Sequence, residues 1–223
     1  MFKKKDNKKA IEKCGCVNTL IDSLSADLTP VKKCTKPLFY FYSWLFVIAV
    51  FSIIVVYFYG LRSDITVAFK NPVFSYEIIL ASVIAVLSAL SSSYLMIPDM
   101  SGKKWLLTST FTCIGLFVLW GLLKGVSEGF ALPTLKMDHC MQEGLYIGIV
   151  PLTVFIFLMR CGATTHPLMM GVMNVLSVAG VGYLALRLTC AMDTVGHVTI
   201  EHLFPYLIIG SVIGILGRKI FKW

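Results

Sequence analysis

Charge is what this sequence has least of. Asp, Glu, Lys and Arg make up only 14% of its 223 residues, against 57% hydrophobic, and the mean hydropathy is +0.80. A water-soluble domain keeps more charge to cover its surface, so this composition excludes an ordinary soluble fold and points to an integral membrane protein. Catalytic motifs are missing as well. No Ser-His-Asp, HExxH, P-loop or GxGxxG arrangement presents itself, so neither enzyme activity nor a cofactor is expected. The seven cysteines include no CxxC pair, which argues against a zinc ribbon or a thioredoxin-like centre. No repeat of about 20–50 residues is visible. The first 37 residues hold nine lysines and no long apolar core, so no cleavable signal peptide is expected.

The little charge there is lies in telling places. A net charge of +8 on a soluble domain would suggest nucleic acid. Here it sits in short segments beside apolar runs, where it sets membrane orientation, and no nucleic acid partner is expected. The chain divides into a basic tail, residues 1–37, and an apolar region, residues 38–223. Within the tail, Leu20, Ile21, Leu24 and Leu28 recur at helical spacing, with Asp22, Ser23, Ser25 and Asp27 between them and Pro30 closing the run. This pattern predicts a short amphipathic helix. It is too short to persist alone in water, so its apolar stripe needs a membrane surface, the protein's own bundle or a partner.

Six apolar segments follow, at about Leu38–Tyr59, Ile78–Ile97, Trp105–Leu123, Leu145–Met159, Leu168–Leu188 and Leu203–Leu216. A full span takes about 20 apolar residues, which leaves the fourth and sixth marginal in length. With six spans, fifteen of the twenty Lys and Arg fall on one side, and Arg62, Lys70, Lys124, Lys136 and Arg187 on the other. The positive-inside rule then predicts an all-α polytopic protein of six transmembrane helices with both termini in the cytoplasm. The spans read as nearly free of ionisable side chains, which disfavours a transporter. Their Ser, Thr and Asn174 read as helix–helix hydrogen bonds, Cys113 as filler, and Gly210 and Gly214 as a GxxxG pair for close helix approach, within one chain or between two.

The same topology sorts the cysteines. Cys14, Cys16, Cys34 and Cys161 fall on the cytoplasmic side, where they stay thiols. Cys140 and Cys190 fall outside, each the only cysteine of its loop and each beside the end of a span. Outside the cytoplasm two such thiols can oxidise if their Cα atoms come within about 7 Å. Spacing leaves open whether they pair functionally, form a structural disulfide or are unrelated. His139, His197 and His202 share these loops; they read as exposed polar residues, with a soft metal ion as the alternative. No metal site is assigned.

Several stretches together carry a resemblance. They are LIDSLSADLTPV from Leu20 to Val31, Leu61-Arg62-Ser63-Asp64-Ile65 after the first span, and a lone loop cysteine before Val150-Pro151-Leu152. Arg160-Cys161-Gly162-Ala163-Thr164-Thr165-His166-Pro167 follows, then Tyr183 to Leu186 leading to Cys190 and Asp193, and the closing Gly217 to Trp223. In order and spacing the chain resembles the six-span bacterial family of negative regulators of sigma F (NrsF, once called DUF1109). That resemblance implies a bacterial inner-membrane anti-sigma factor that holds an extracytoplasmic-function sigma factor inactive. It implies stress sensing, of oxidant or heavy metal, at two external cysteines matching Cys140 and Cys190. It also implies sigma-factor contact through the N-terminal segment of Leu20, Ile21, Leu24 and Leu28. The other readings are a membrane thiol oxidoreductase, which would need a second cysteine pair to relay electrons, and a transporter subunit. The oligomeric state is not legible.

Overall fold

The computed structural model describes residues 22, 25–26, 36–97, 101–129, 139–160, 162 and 164–220. The chain forms two units, Met1–Cys34 and Thr35–Trp223. In the first, Asp22, Ser25 and Ala26 are helical, and the Ser25 hydroxyl donates to the Asp22 carbonyl at 3.0 Å. Leu20, Ile21, Leu24 and Leu28 lie outside the described residues, as do Cys14, Cys16, Cys34 and Cys161.

The second unit is helical throughout its regular structure: α1 (Pro37–Tyr59), α2 (Ile65–Ala68), α3 (Pro72–Leu95), α4 (Lys104–Glu128), α5 (His139–Met159), α6 (Pro167–Thr189), α7 (Val195–His197) and α8 (Phe204–Ile220). Between α7 and α8 the backbone winds as a π-helix over Val198–Leu203, so the three segments run on as one rod. Among the described residues, six helices are long and apolar enough to cross a membrane, including the rod from Val195 to Ile213. Proline opens α1, α3 and α6 at the first helical position, where its missing N–H costs no hydrogen bond. Asn71 caps α3 by accepting from the Val73 N–H at 3.0 Å.

The spans are longer than their apolar runs. α3 begins at Pro72 rather than near Ile78, α5 at His139 rather than near Leu145, and the sixth span at Val195 rather than near Leu203. The added turns carry Glu77, Cys140, His197, Glu201 and His202 into helices. The expectation of spans nearly free of ionisable groups is therefore corrected: Glu77, Arg187, Glu201 and His202 are all buried. Hydropathy misses these turns because their polar groups face other protein groups rather than lipid.

α6 is the central helix. Over half of its span (56%) is buried, against 11% for the peripheral α4. It packs most closely on α3, where a Cβ on Gly180 would come within 2.8 Å of the Ala85 Cβ, so the two backbones approach as only glycine permits. Gly182 leaves room for the Tyr206 side chain of α8 in the same way, and Gly210 packs on Val175 of α6, a contact within this chain. Outward faces are strongly apolar: Phe46, Ile53, Phe58, Leu119, Phe157 and Ile215 are all exposed. Such a surface suits hydrocarbon rather than water.

Successive spans run in alternating directions and give the bundle two unlike halves. The larger apolar core lies in the half where α1 starts and α3 ends. There Trp44 stacks on Phe155 at 4.2 Å, with Leu95, Met96, Met159, Met170 and Met173 around them. Hydroxyl bonds cross the same region. Trp44 Nε1 donates to Ser177 Oγ at 3.0 Å, Ser92 Oγ donates to Asn174 Oδ1, and the Ser91 and Thr110 hydroxyls pair at 3.3 Å. Ser, Thr and Asn174 thus bond helix to helix as their sequence context predicts.

Candidate functional site

The opposite half holds the two thiols. Cys140 sits in the first turn of α5, and Cys190 follows the last residue of α6 with extended backbone, its N–H donating to Leu186 O at 2.8 Å. Fifty residues apart in sequence, their sulfurs lie 3.6 Å apart as free thiols. Both are partly buried. The Cys190 Sγ is also 3.4 Å from His197 Nε2. His202 completes the group: one ligand atom each from Cys140, Cys190, His197 and His202 all fall within 4.8 Å of one another. The His197 and His202 rings meet edge to face at 5.1 Å. His202 is fully buried, and among the described residues its ring nitrogens have no hydrogen-bond partner beyond the Cys190 sulfur beside them. Both histidines were expected to be exposed loop residues, and both are buried in helical turns.

Cys190 is held well below the usual thiol range. The chief cause is the Cys140 thiol donating to its sulfur, and the nearby His202 ring and Met192 backbone act in the same direction against the effect of burial. A thiol so stabilised as thiolate is the better nucleophile and metal ligand of the two.

A charged clamp fixes the loop that Cys190 opens. Arg62, in the link after α1, donates its backbone N–H to Leu188 O at 3.0 Å and Nη1 to Cys190 O at 3.2 Å. Its guanidinium grips Asp64 with two bonds of 2.7 Å and Asp193 with two of 3.0 Å. Arg187 of α6 donates to the same Asp193 at 2.7 Å and lies 3.1 Å from Glu77 of α3. Lys124 of α4 donates to Asp193 O at 3.0 Å and sits 3.8 Å from Glu77, while Glu128 accepts the Val195 N–H at 2.8 Å. Tyr183 adds a hydroxyl bond to Glu77. Both guanidinium groups lie over the Phe74 ring, at 5.4 and 4.9 Å.

Shared arginines shift the acids they hold. Arg62 first, then Arg187, keep the Asp193 carboxyl down at about 2, and Arg62 lowers Asp64. The two aspartates in turn raise Arg62 further above its ordinary value. The loop from Cys190 to Val195 is therefore tied to the α1 link, α4 and α6 at once, and through Glu77 to α3. In the sequence, Arg62, Lys124 and Arg187 read as loop charges and Arg62, Asp64 and Asp193 as part of the resemblance, with nothing joining them into one clamp. The available signal was Arg187, an arginine in the last turn of an otherwise apolar helix, together with Arg62 and the acids Asp64 and Asp193 in the neighbouring loops.

Among the described residues the regular structure is all helical, and six helices able to cross a membrane, with two thiols 3.6 Å apart at one end, have the architecture of a multi-pass membrane protein built around a buried polar site. Within that class the chain belongs to the NrsF family, negative regulator of sigma F, whose model matches residues 24–223. The family is a regulator of a sigma factor rather than an enzyme class, and the expected resemblance holds over nearly the whole chain. No curated protein and no solved structure matches it.

Proposed function

We propose that this protein is an anti-sigma factor of the bacterial inner membrane, with both termini in the cytoplasm. Its N-terminal segment, through Leu20, Ile21, Leu24 and Leu28, holds an extracytoplasmic-function sigma factor. It releases that factor when Cys140 and Cys190, on the other side of the membrane, react with oxidant or a thiophilic metal. The observation that carries this reading is the 3.6 Å approach of two free thiols that the sequence holds fifty residues apart. The positive-inside count supports the orientation.

The chemistry is a two-electron oxidation. Two thiols lose two protons and two electrons to an oxidant such as a peroxide, which leaves as water, and the sulfurs close to about 2.05 Å. Closing that gap draws the start of α5 toward the end of α6. Because α6 is central and its terminal loop is clamped to three other elements, the movement is passed to the bundle rather than absorbed locally. A shift of this kind biases two helix arrangements whose energies lie close together.

The test is sigma-dependent transcription in cells carrying Cys140→Ser or Cys190→Ser. Both variants are expected to repress normally and to lose induction by peroxide and by cadmium. Normal induction in both would end the sensing reading. A membrane-impermeant maleimide is expected to label Cys140 and Cys190 in spheroplasts, but not Cys14, Cys16 or Cys34.

A further inference from the structure

The charged clamp, the apolar outer faces and the small cavity beside Glu77 and Tyr183 are each accounted for by packing. His197 and His202 are not. In an α-helix, residues five apart point about 140° away from each other. Here the rod changes to π-helical winding at Val198–Leu203, where hydrogen bonds run from i to i+5 and residues five apart return to one face. The result is that His197 and His202 both turn toward the thiols, within 4.8 Å of Cys140 and Cys190. A π-helical segment is rare, and such turns are frequent at functional sites.

Two of the six separations match one kind of occupant, and the four ligand atoms as a set stay within 4.8 Å. A tetrahedral zinc with Zn–S of about 2.3 Å sets its two sulfurs about 3.8 Å apart, and with Zn–N of about 2.0 Å a sulfur and a nitrogen about 3.5 Å apart. The corresponding separations here are 3.6 Å for Cys140 to Cys190 and 3.4 Å for Cys190 to His197 Nε2. A second observation is independent of these. His202 is wholly buried, and among the described residues its ring has no hydrogen-bond partner beyond the Cys190 sulfur beside it, a costly arrangement for a two-nitrogen ring unless something binds it. Two thiolates and a divalent cation also sum to no charge, which suits a partly buried position. Sulfur ligands exclude magnesium and calcium, and two sulfurs with two nitrogens favour a tetrahedral d10 ion.

We propose that Cys140, Cys190, His197 and His202 form a four-ligand site for a tetrahedral d10 divalent cation, zinc or cadmium. The assignment rests on the thiol-sensing reading for its physiological role, and on the ligand geometry alone for its chemistry. It gives the two histidines a role in metal responses that oxidant responses do not share.

The experiment titrates the full-length, reduced, metal-free protein in detergent with cobalt(II), then displaces the cobalt with zinc and with cadmium. Expected are one equivalent bound, the intense visible bands of tetrahedral cobalt with thiolate charge transfer, and loss of those bands as zinc or cadmium enters. His202→Ala and His197→Ala are each expected to weaken binding at least about ten-fold, the loss seen even for outer-shell partners of a metal. A weak, octahedral cobalt spectrum in the unmutated protein, or unchanged affinity in both histidine variants, would overturn the site. Should a histidine variant fail to fold, cadmium-113 NMR of the unmutated protein decides, because ligation by two sulfurs and two nitrogens shifts the resonance differently from two sulfurs with solvent. A tetrahedral site in a protein that retains no sigma factor would leave this inference standing and remove the functional reading. Sigma release by cadmium without tetrahedral cobalt would do the reverse.

Discussion

One half of the bundle is joined by apolar packing and hydroxyls, the other by charges. Where α1 starts and α3 ends, Trp44, Phe155, Met170 and Met173 fill a continuous core, and Ser92, Asn174 and Ser177 bond the helices across it. At the thiol end the apolar clusters are small: Val55, Ile147, Ala185 and Leu186 in one, Ala81, Tyr183 and Val198 in the other. There Arg62, Arg187, Glu77, Asp193 and Lys124 do the joining. A close-packed core resists small displacements because contacts fall off steeply with distance. A set of ion pairs around one loop ties it to several helices at once. The difference teaches why a signal from the thiols suits the charged end: a movement of the loop there is handed directly to the helices it holds.

The sharpest way to break the comparison is to remove the arginine at its centre. Arg187→Met leaves Glu77 buried with only Lys124, 3.8 Å away, to offset its charge. Loss of one partner from a buried ion pair costs about 3–5 kcal/mol, because the other charge stays uncompensated. The variant is expected to lose stability on that order in detergent unfolding. Arg187→Met with Glu77→Met is expected to recover most of it, since replacing a whole buried pair by apolar groups is often neutral. Equal losses in the single and double variants would mean that the charges do not act as a pair.

How much of this was legible in the sequence follows from what hydropathy can register. The six spans, their number and the helix-bonding role of Ser92, Asn174 and Ser177 all come from apolar length and residue type, which are local properties. Spans that begin too late, as at Ile78 for α3 and Leu203 for the sixth, share one cause. Glu77 and His202 count against a span on a scale that assumes each side chain faces lipid, yet both are buried against protein. The pairing of Cys140 with Cys190 rested on resemblance, because no local pattern joins residues fifty apart. The histidines were misread as exposed because the π-helical winding that turns them inward has no sequence signature.

Acid gives a graded probe of the same clamp. Arg62, and behind it Arg187, hold Asp193 at about 2, against about 3.9 for an unperturbed aspartate. A carboxyl depressed in the folded state contributes stability that is complete above its unfolded value and disappears as pH falls through the folded one. The clamp is therefore expected to be whole at pH 5 and above and to weaken from about pH 4 down to about pH 2. Asp193→Asn should flatten that part of the profile of thermal midpoint against pH. Because the Asp193 side chain is half exposed, solvent screens the pair and the effect is smaller than that of Arg187→Met. An unchanged acid profile in Asp193→Asn would assign the acid response to another carboxylate.

The hydroxyl-bonded half should give the smallest response, and its size discriminates between the two kinds of joining. The Trp44 Nε1–Ser177 bond of 3.0 Å joins α1 to the central helix in a fully buried setting. Hydrogen bonds between membrane helices average about 0.6 kcal/mol in double-mutant cycles, because helices separated in a membrane find other partners. A cycle of Trp44→Phe and Ser177→Ala is therefore expected to show a coupling of about 0.6 kcal/mol, with most of the Trp44→Phe loss coming from its stacking on Phe155. Neither change should alter the reaction of Cys140 with Cys190, since neither touches the clamp. A coupling as large as that between Arg187 and Glu77, or a changed rate of thiol oxidation, would mean that the two halves respond as one body. The thiol signal would then have to travel through the apolar core rather than around it.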